Sequence, residues 1–288
     1  MKCWSERFLQ SVCQPAVVAM IEDIQPICPD FNAKLKRLKA NIISSDLMDR
    51  EEFWDISWDS MIDKKTEYKF LQKIEKALDV MSLTPMGRNI LSGIYTGTYF
   101  GVAPIRQTGQ FFNRNTSTVF LRAKDDIFQN SKLILKVLTH ECTHSKNARV
   151  ADNARAYMLP PKLYFMHQMM NELTAYLSED IVVAQKKDEN ITSASQTQEH
   201  LFDVLERIVD AGYVADFSHR VRKWYKTDVL APDTQKPSKL HLALFASYFK
   251  EYPVLRDLVL INRLSQLYNY HVIKKTRRQM PVSNQKIR

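Results

Sequence analysis

Apolar residues recur at helical spacing along most of this chain. Phe8, Val12, Ala16 and Met20 fall one turn apart, until Ile24-Gln25-Pro26 and Cys28-Pro29-Asp30 break the run. Leu35, Leu38 and Ile42 make the next apolar stripe, on a helix whose other faces carry Lys34, Lys36, Arg37 and Lys39. That basic face reads first as solvated, and second as a surface for nucleic acid or an acidic membrane. Trp54 and Trp58 share a face at i and i+4 and read as a packing ridge. Tyr68–Met81 is another amphipathic stretch, and Thr84-Pro85-Met86-Gly87 predicts a helix start, with Thr84 as N-cap and Pro85 at the first position.

After Gly93 the period changes. Ile94-Tyr95-Thr96 and Thr98–Val102 are β-branched and aromatic and predict a strand or two, and Thr118–Leu121 predicts another. Gln110–Thr116, between them, reads as a polar loop. Helical spacing returns over Leu133–Asn147, and Ala151–Pro161 reads as a connection to a strong helix over Lys162–Val183. Gln185–Gln198 is polar and reads as a surface linker. Helices follow over Leu201–Val214, Phe217–Lys226, Leu240–Lys250 and Val254–Tyr270, and the chain ends in a basic tail from Lys274 through Arg278 onward. The pattern predicts a predominantly helical α+β protein. A small sheet packs on the Leu133–Asn147 helix, with a helical region over 1–83, a core over 84–185 and a helical region with a basic tail over 199–288.

Composition sharpens this in a few places. Only 6 glycines in 288 residues leave little room for tight hairpins and favour helices. Apolar content of 45% and charged content of 25% are ordinary for a globular domain. The net charge of +9 admits acidic partners. Cys3, Cys13, Cys28 and Cys142 form no C-x-x-C pair and read as reduced thiols. Ser5-Glu6-Arg7 interrupts any signal-peptide core, and no apolar run reaches the ~18 residues of a membrane span. The expectation is a cytoplasmic protein where it is made, with export that uses no cleaved signal left open, as for an effector delivered into another cell. Oligomeric state has no signature.

The stretch with chemistry is Leu133–Asn147, because it contains His140-Glu141-Cys142-Thr143-His144, an H-E-x-x-H pattern. On a helix the two histidines lie about 40° apart on one face and can share a metal ion, while Glu141 flanks them and can take a proton from metal-bound water. Cys142 falls on the opposite side with Leu135 and Leu138 and is assigned to packing. A strand leading through a loop into such a helix is the order expected of zincins, whose edge strand pairs with extended substrate backbone.

A catalytic zinc takes three protein ligands and leaves one position for water. The metzincin completion needs Gly at 147 and His at 150, where this chain has Asn147 and Val150. Gluzincins place a glutamate on a following helix, and here Asn171-Glu172-Leu173-Thr174-Ala175 follows. Glu172 shares a mainly apolar helix face with Phe165, Met169 and Tyr176, where a carboxylate needs a partner, and Ala175 permits close helix approach. His167 points about 220° away from Glu172, so both cannot serve one metal. Asp152, placed on the connection, and Glu179 are the alternative third ligands.

The Thr-Pro helix start with Gly87-Arg88, the strand, the H-E-x-x-H helix and the E-x-x-A helix together resemble a group of uncharacterised bacterial zinc metallopeptidases. These are similar to gluzincins and typically read H-E-x-x-H followed by E-A-D-A. The resemblance covers about residues 84–180 and implies a zincin-like core, with zinc held by His140, His144 and Glu172 and Glu141 as base. The chain departs from the pattern at Leu173-Thr174, where the group tends to have Ala-Asp. If that aspartate orients a histidine, Glu179 is a candidate for the task here.

The function expected is therefore that of a zinc metalloendopeptidase acting on a protein or peptide. Tyr157, Tyr164, Tyr176, Tyr213, His219 and His241 are candidate donors to the oxyanion, with none singled out. One alternative is a metal-dependent nucleic-acid protein, using Arg220, Arg222, Lys223 and Lys226 with Trp224 and Tyr225 interleaved. The other is a non-catalytic helical binding protein in which the pattern is accidental.

Overall fold

Helices start where a side chain is available to accept from their unpaired N–H groups. In the computed structural model, which describes residues 4–24, 28–44, 63–103, 111–122, 130–187, 189, 197–227 and 229–274, the first helices are α1 (Trp4–Val12), α2 (Pro15–Ile24) and α3 (Phe31–Ala40). They are followed by α4 (Lys64–Leu83) and α5 (Pro85–Gly93). Asp30, Asp63 and Thr84 accept from Ala33, Thr66 and Gly87 at the starts of α3, α4 and α5. Thr84 and Pro85 thus take the roles that the sequence predicts. Three strands come next, β1 (Tyr99–Ala103), β2 (Phe111–Asn113) and β3 (Thr118–Arg122). Then come α6 (Ser131–Asn153), α7 (Pro161–Gln185), α8 (Gln198–Asp210), α9 (Tyr213–Lys226), α10 (Lys239–Glu251) and α11 (Leu258–Tyr268). The protein is a predominantly helical α+β fold with a three-stranded sheet.

The sheet order is β1-β3-β2, with β3 in the centre. β1 runs parallel to β3, pairing Tyr99 with Thr118 through Ala103 with Arg122, and β2 runs antiparallel to it, pairing Phe111 with Phe120 and Asn113 with Thr118. Asn41 and Ile43 bond Phe100 across the outer side of β1. Among the described residues, β2 therefore carries the sheet's open edge. The segment read as a polar loop is in fact β2 and its turn. Asn113 Oδ1 accepts from the backbone N–H of Asn115 and Thr116, and Ser117 adopts φ 49°, so the reversal uses side-chain bonding in place of an Asn-Gly pair. Ile94-Tyr95-Thr96 forms no strand and serves as the link from α5 into β1.

Contacts sort the chain into two units, 1–22 with 154–173 and 197–288, and 23–153 with 174–196. In the second, α4, α5 and α6 pack on one another and α6 also packs on β2 and β3, around Phe70, Ile74, Leu78, Met81, Phe100, Phe120 and Leu138. In the first, α1 packs on α10 and α11, with Phe8 edge-on to Phe245 at 5.0 Å. Helix α7 passes unbroken through the dividing point between Leu173 and Thr174.

The basic face of α3 is partly internal. Lys34 is buried and donates to the carbonyls of Ser92 and Ile94 at the C-terminal end of α5, where a cation is favoured, while burial lowers its pKa. Lys39 pairs with Glu75 and Asp79 on α4. Trp54, Trp58 and the tail beyond Lys274 lie outside the described residues.

The turn from α4 into α5 is tight. A Cβ on Gly87 would lie 2.2 Å from the Met81 carbonyl oxygen and 2.6 Å from Thr84 Oγ1. Since the first of these is backbone, Gly87→Ala is expected to destabilise the chain by about 1–3 kcal/mol, read as a lower urea midpoint at unchanged slope.

Candidate metal centre

The H-E-x-x-H segment lies within α6, which is longer than its sequence pattern suggests. It runs to Asn153 because Val150 and Ala151 are buried, and Arg155 at φ 52° follows it in the left-handed conformation. Asp152 is accordingly on a helix and not on a connection, and its carboxylate pairs with Arg114 at the end of β2.

His140 is buried and His144 half-buried, with their rings 4.6 Å apart and their Nε2 atoms 3.0 Å apart. Two nitrogens bound to one tetrahedral zinc at 2.0–2.1 Å lie about 3.3 Å apart, so this spacing is close to that of a shared ion. Helix α7 supplies the third group. His140, His144 and Glu172 offer ligand atoms that all lie within 4.8 Å of one another, and Glu172 is buried. Two imidazoles and a carboxylate suit a first-row divalent ion. The donor set fits a metal, and neither Asp152 nor Glu179 belongs to the group.

Glu179 has a different place. Glu172, Tyr176 and Glu179 stand at i, i+4 and i+7, on one face of α7. His140 Nδ1 lies 2.7 Å from Glu179 Oε1, a hydrogen bond that places the proton on Nδ1 and the lone pair on Nε2, the nitrogen that faces His144. Glu179, five residues beyond Thr174, is the carboxylate that meets the His140 ring. Lys136 Nζ sits 4.0 Å from Glu179 Oε2 and 2.8 Å from Asp180 Oδ1, so the carboxylate touching His140 is itself flanked by a cation. Lys136 stands one turn before His140 on α6, a spacing visible in the sequence but not distinguishable there from an ordinary surface lysine. Glu179→Ala is expected to weaken metal binding about 10–100-fold, measured by competition with a chelator.

Around this set the packing is tight. The Tyr176 ring meets His140 edge-on at 4.7 Å, and Asn147 Nδ2 donates to Thr174 Oγ1 at 2.9 Å, linking α6 to α7. Ala175 is fully buried, consistent with close approach. Glu141 is also buried. Cys142 is buried too, and burial with the nearby Glu141 charge pushes its thiol far up, consistent with a packing role.

The other sequence candidates lie elsewhere. His167 Nδ1 is 3.1 Å from the Tyr248 hydroxyl, and His241 sits in the capping box of α10. Tyr164 packs on Trp224 at 5.0 Å, and Trp224 is half-buried. Arg222 donates to the His271 carbonyl, and Arg220 lies over Phe217. Of the candidate oxyanion donors, Tyr176 has its ring against a histidine of the group.

Fold and site together define a predominantly helical α+β protein with a buried His–His–Glu group able to hold a metal ion. Comparison of the chain with family models, with curated proteins and with solved structures gives no match. No described helix is long and apolar enough to cross a membrane.

Proposed function

We propose that this chain is a zinc-dependent metalloendopeptidase with a zincin-like core, its metal held by His140, His144 and Glu172. The observation that carries the reading is the convergence of these three side chains from two helices, in an H-E-x-x-H order that also provides a flanking carboxylate. A zinc ion bound by His140, His144 and Glu172 would supply a Lewis acid for carbonyl and water activation. Glu141 takes the proton of the attacking water and delivers it to the leaving amine. Glu179 holds the His140 ring in the tautomer that presents Nε2. The edge that β2 leaves open among the described residues supports an extended substrate, since one more strand can add there.

The test is a comparison of new protein N-termini after a mixed proteome is exposed to wild type or to Glu141→Gln. Termini produced only by wild type, and lost on chelation, are expected. Identical profiles from both proteins would contradict the proposed base.

A further inference from the structure

Behind the hydrogen bond between His140 and Glu179 stands an ion pair. On α6, Lys136 lies one turn before His140, and on α7, Asp180 directly follows Glu179. The two helices run antiparallel here, since Lys136 meets Asp180, His140 meets Glu179 and Asn147 meets Thr174. Lys136 Nζ is 2.8 Å from Asp180 Oδ1 and 4.0 Å from Glu179 Oε2. One ammonium therefore faces two carboxylates, the nearer being Asp180.

The cluster is sheltered. The side chains of Lys136, Asp180 and Glu179 are 25%, 20% and 11% exposed, so salt screens them less than it screens surface charges. Glu179 is already oriented by its 2.7 Å bond with His140 Nδ1, and Lys136 is not needed for that. What Lys136 adds is charge. An ammonium beside Glu179 draws negative charge away from the His140 N–H, which makes the ring a poorer donor at Nε2. It also repels any cation held at that nitrogen. Asp180 opposes both effects, because it holds the ammonium and contributes a negative charge of its own.

We propose that Lys136 and Asp180 set how tightly the His140–His144–Glu172 group holds a divalent metal, Lys136 loosening the grip and Asp180 strengthening it. The proposal rests on the metal site of the proposed function and not on peptide hydrolysis. It gives the ion pair a signature that bracing alone lacks. If the pair only braced α6 against α7, losing either partner would act in the same direction. Acting through charge, the two losses have opposite signs.

The experiment measures the zinc dissociation constant of the full-length chain by chelator competition, at low ionic strength and one mildly alkaline pH. Lys136→Met is expected to bind zinc about 3–10-fold tighter than wild type and Asp180→Asn about 3–10-fold weaker. Lys136→Arg keeps the charge and should stay near wild type. Melting curves without zinc establish that each variant is folded, and either of the first two can refute the proposal by itself. Weaker binding in Lys136→Met, tighter binding in Asp180→Asn, or an affinity unchanged in either would overturn it while leaving the metal site in place. A wild-type chain that binds no zinc would overturn the metal site and this proposal together.

Discussion

Zinc is expected to raise the melting temperature of the wild-type chain and to leave those of Glu172→Ala and His144→Ala where they are. At a free concentration a thousand times its dissociation constant, a ligand that binds only the folded state stabilises it by about 4 kcal/mol. For a chain of this size that corresponds to a rise of roughly 10 °C. The readout is the zinc-dependent shift and not the starting temperature, because removing a buried carboxylate changes basal stability on its own account. A shift that survives in Glu172→Ala would move the third ligand away from α7. A shift that survives in His144→Ala would separate the metal from the H-E-x-x-H helix altogether.

Glu141→Gln is expected to lower the rate constant for peptide hydrolysis by about 10²–10⁴-fold with no change in metal content. The amide keeps the size and polarity of the side chain and removes its ability to take a proton. Glu141 stands about 100° around α6 from His140, outside the His140–His144–Glu172 group, so metal content should be indifferent to the change. Loss of metal together with activity would make Glu141 a structural residue. Retained activity would place the base elsewhere.

Much of this site could be read before any coordinates because helices translate spacing into direction. His140 and His144 share a face on spacing alone, and the same rule turned Cys142 toward the packed side, where the structure buries it. Glu172 was reachable because α7 is regular and its neighbour Ala175 is small. The choice among Glu172, Asp152 and Glu179 was not reachable in that way. It depends on where α6 stops and on how α6 and α7 cross. Helix α6 continues past the expected boundary because Val150 and Ala151 find cover, and Asp152 is thereby carried to Arg114. Glu179 reaches His140 because i+7 returns to the face of Glu172, but only the packed pair of helices shows which carboxylate meets the outer ring nitrogen and which gathers with both histidines. The sheet was the harder part. Strand β2 lies in a segment whose polar residues belong to its turn, and its pairing is a long-range property that no local pattern of Phe111 and Phe112 reveals. Likewise the lysines of α3 look alike in sequence, yet Lys34 is buried against the end of α5.

The peptidase reading stands on one zinc ion shared by His140, His144 and Glu172. Elemental analysis of the purified full-length chain, after zinc loading and gel filtration, is expected to find one zinc per wild-type chain and almost none in His140→Ala treated identically. Wild-type protein that emerges without stoichiometric zinc, or a His140→Ala variant that retains it, would contradict the site and the peptidase reading that rests on it.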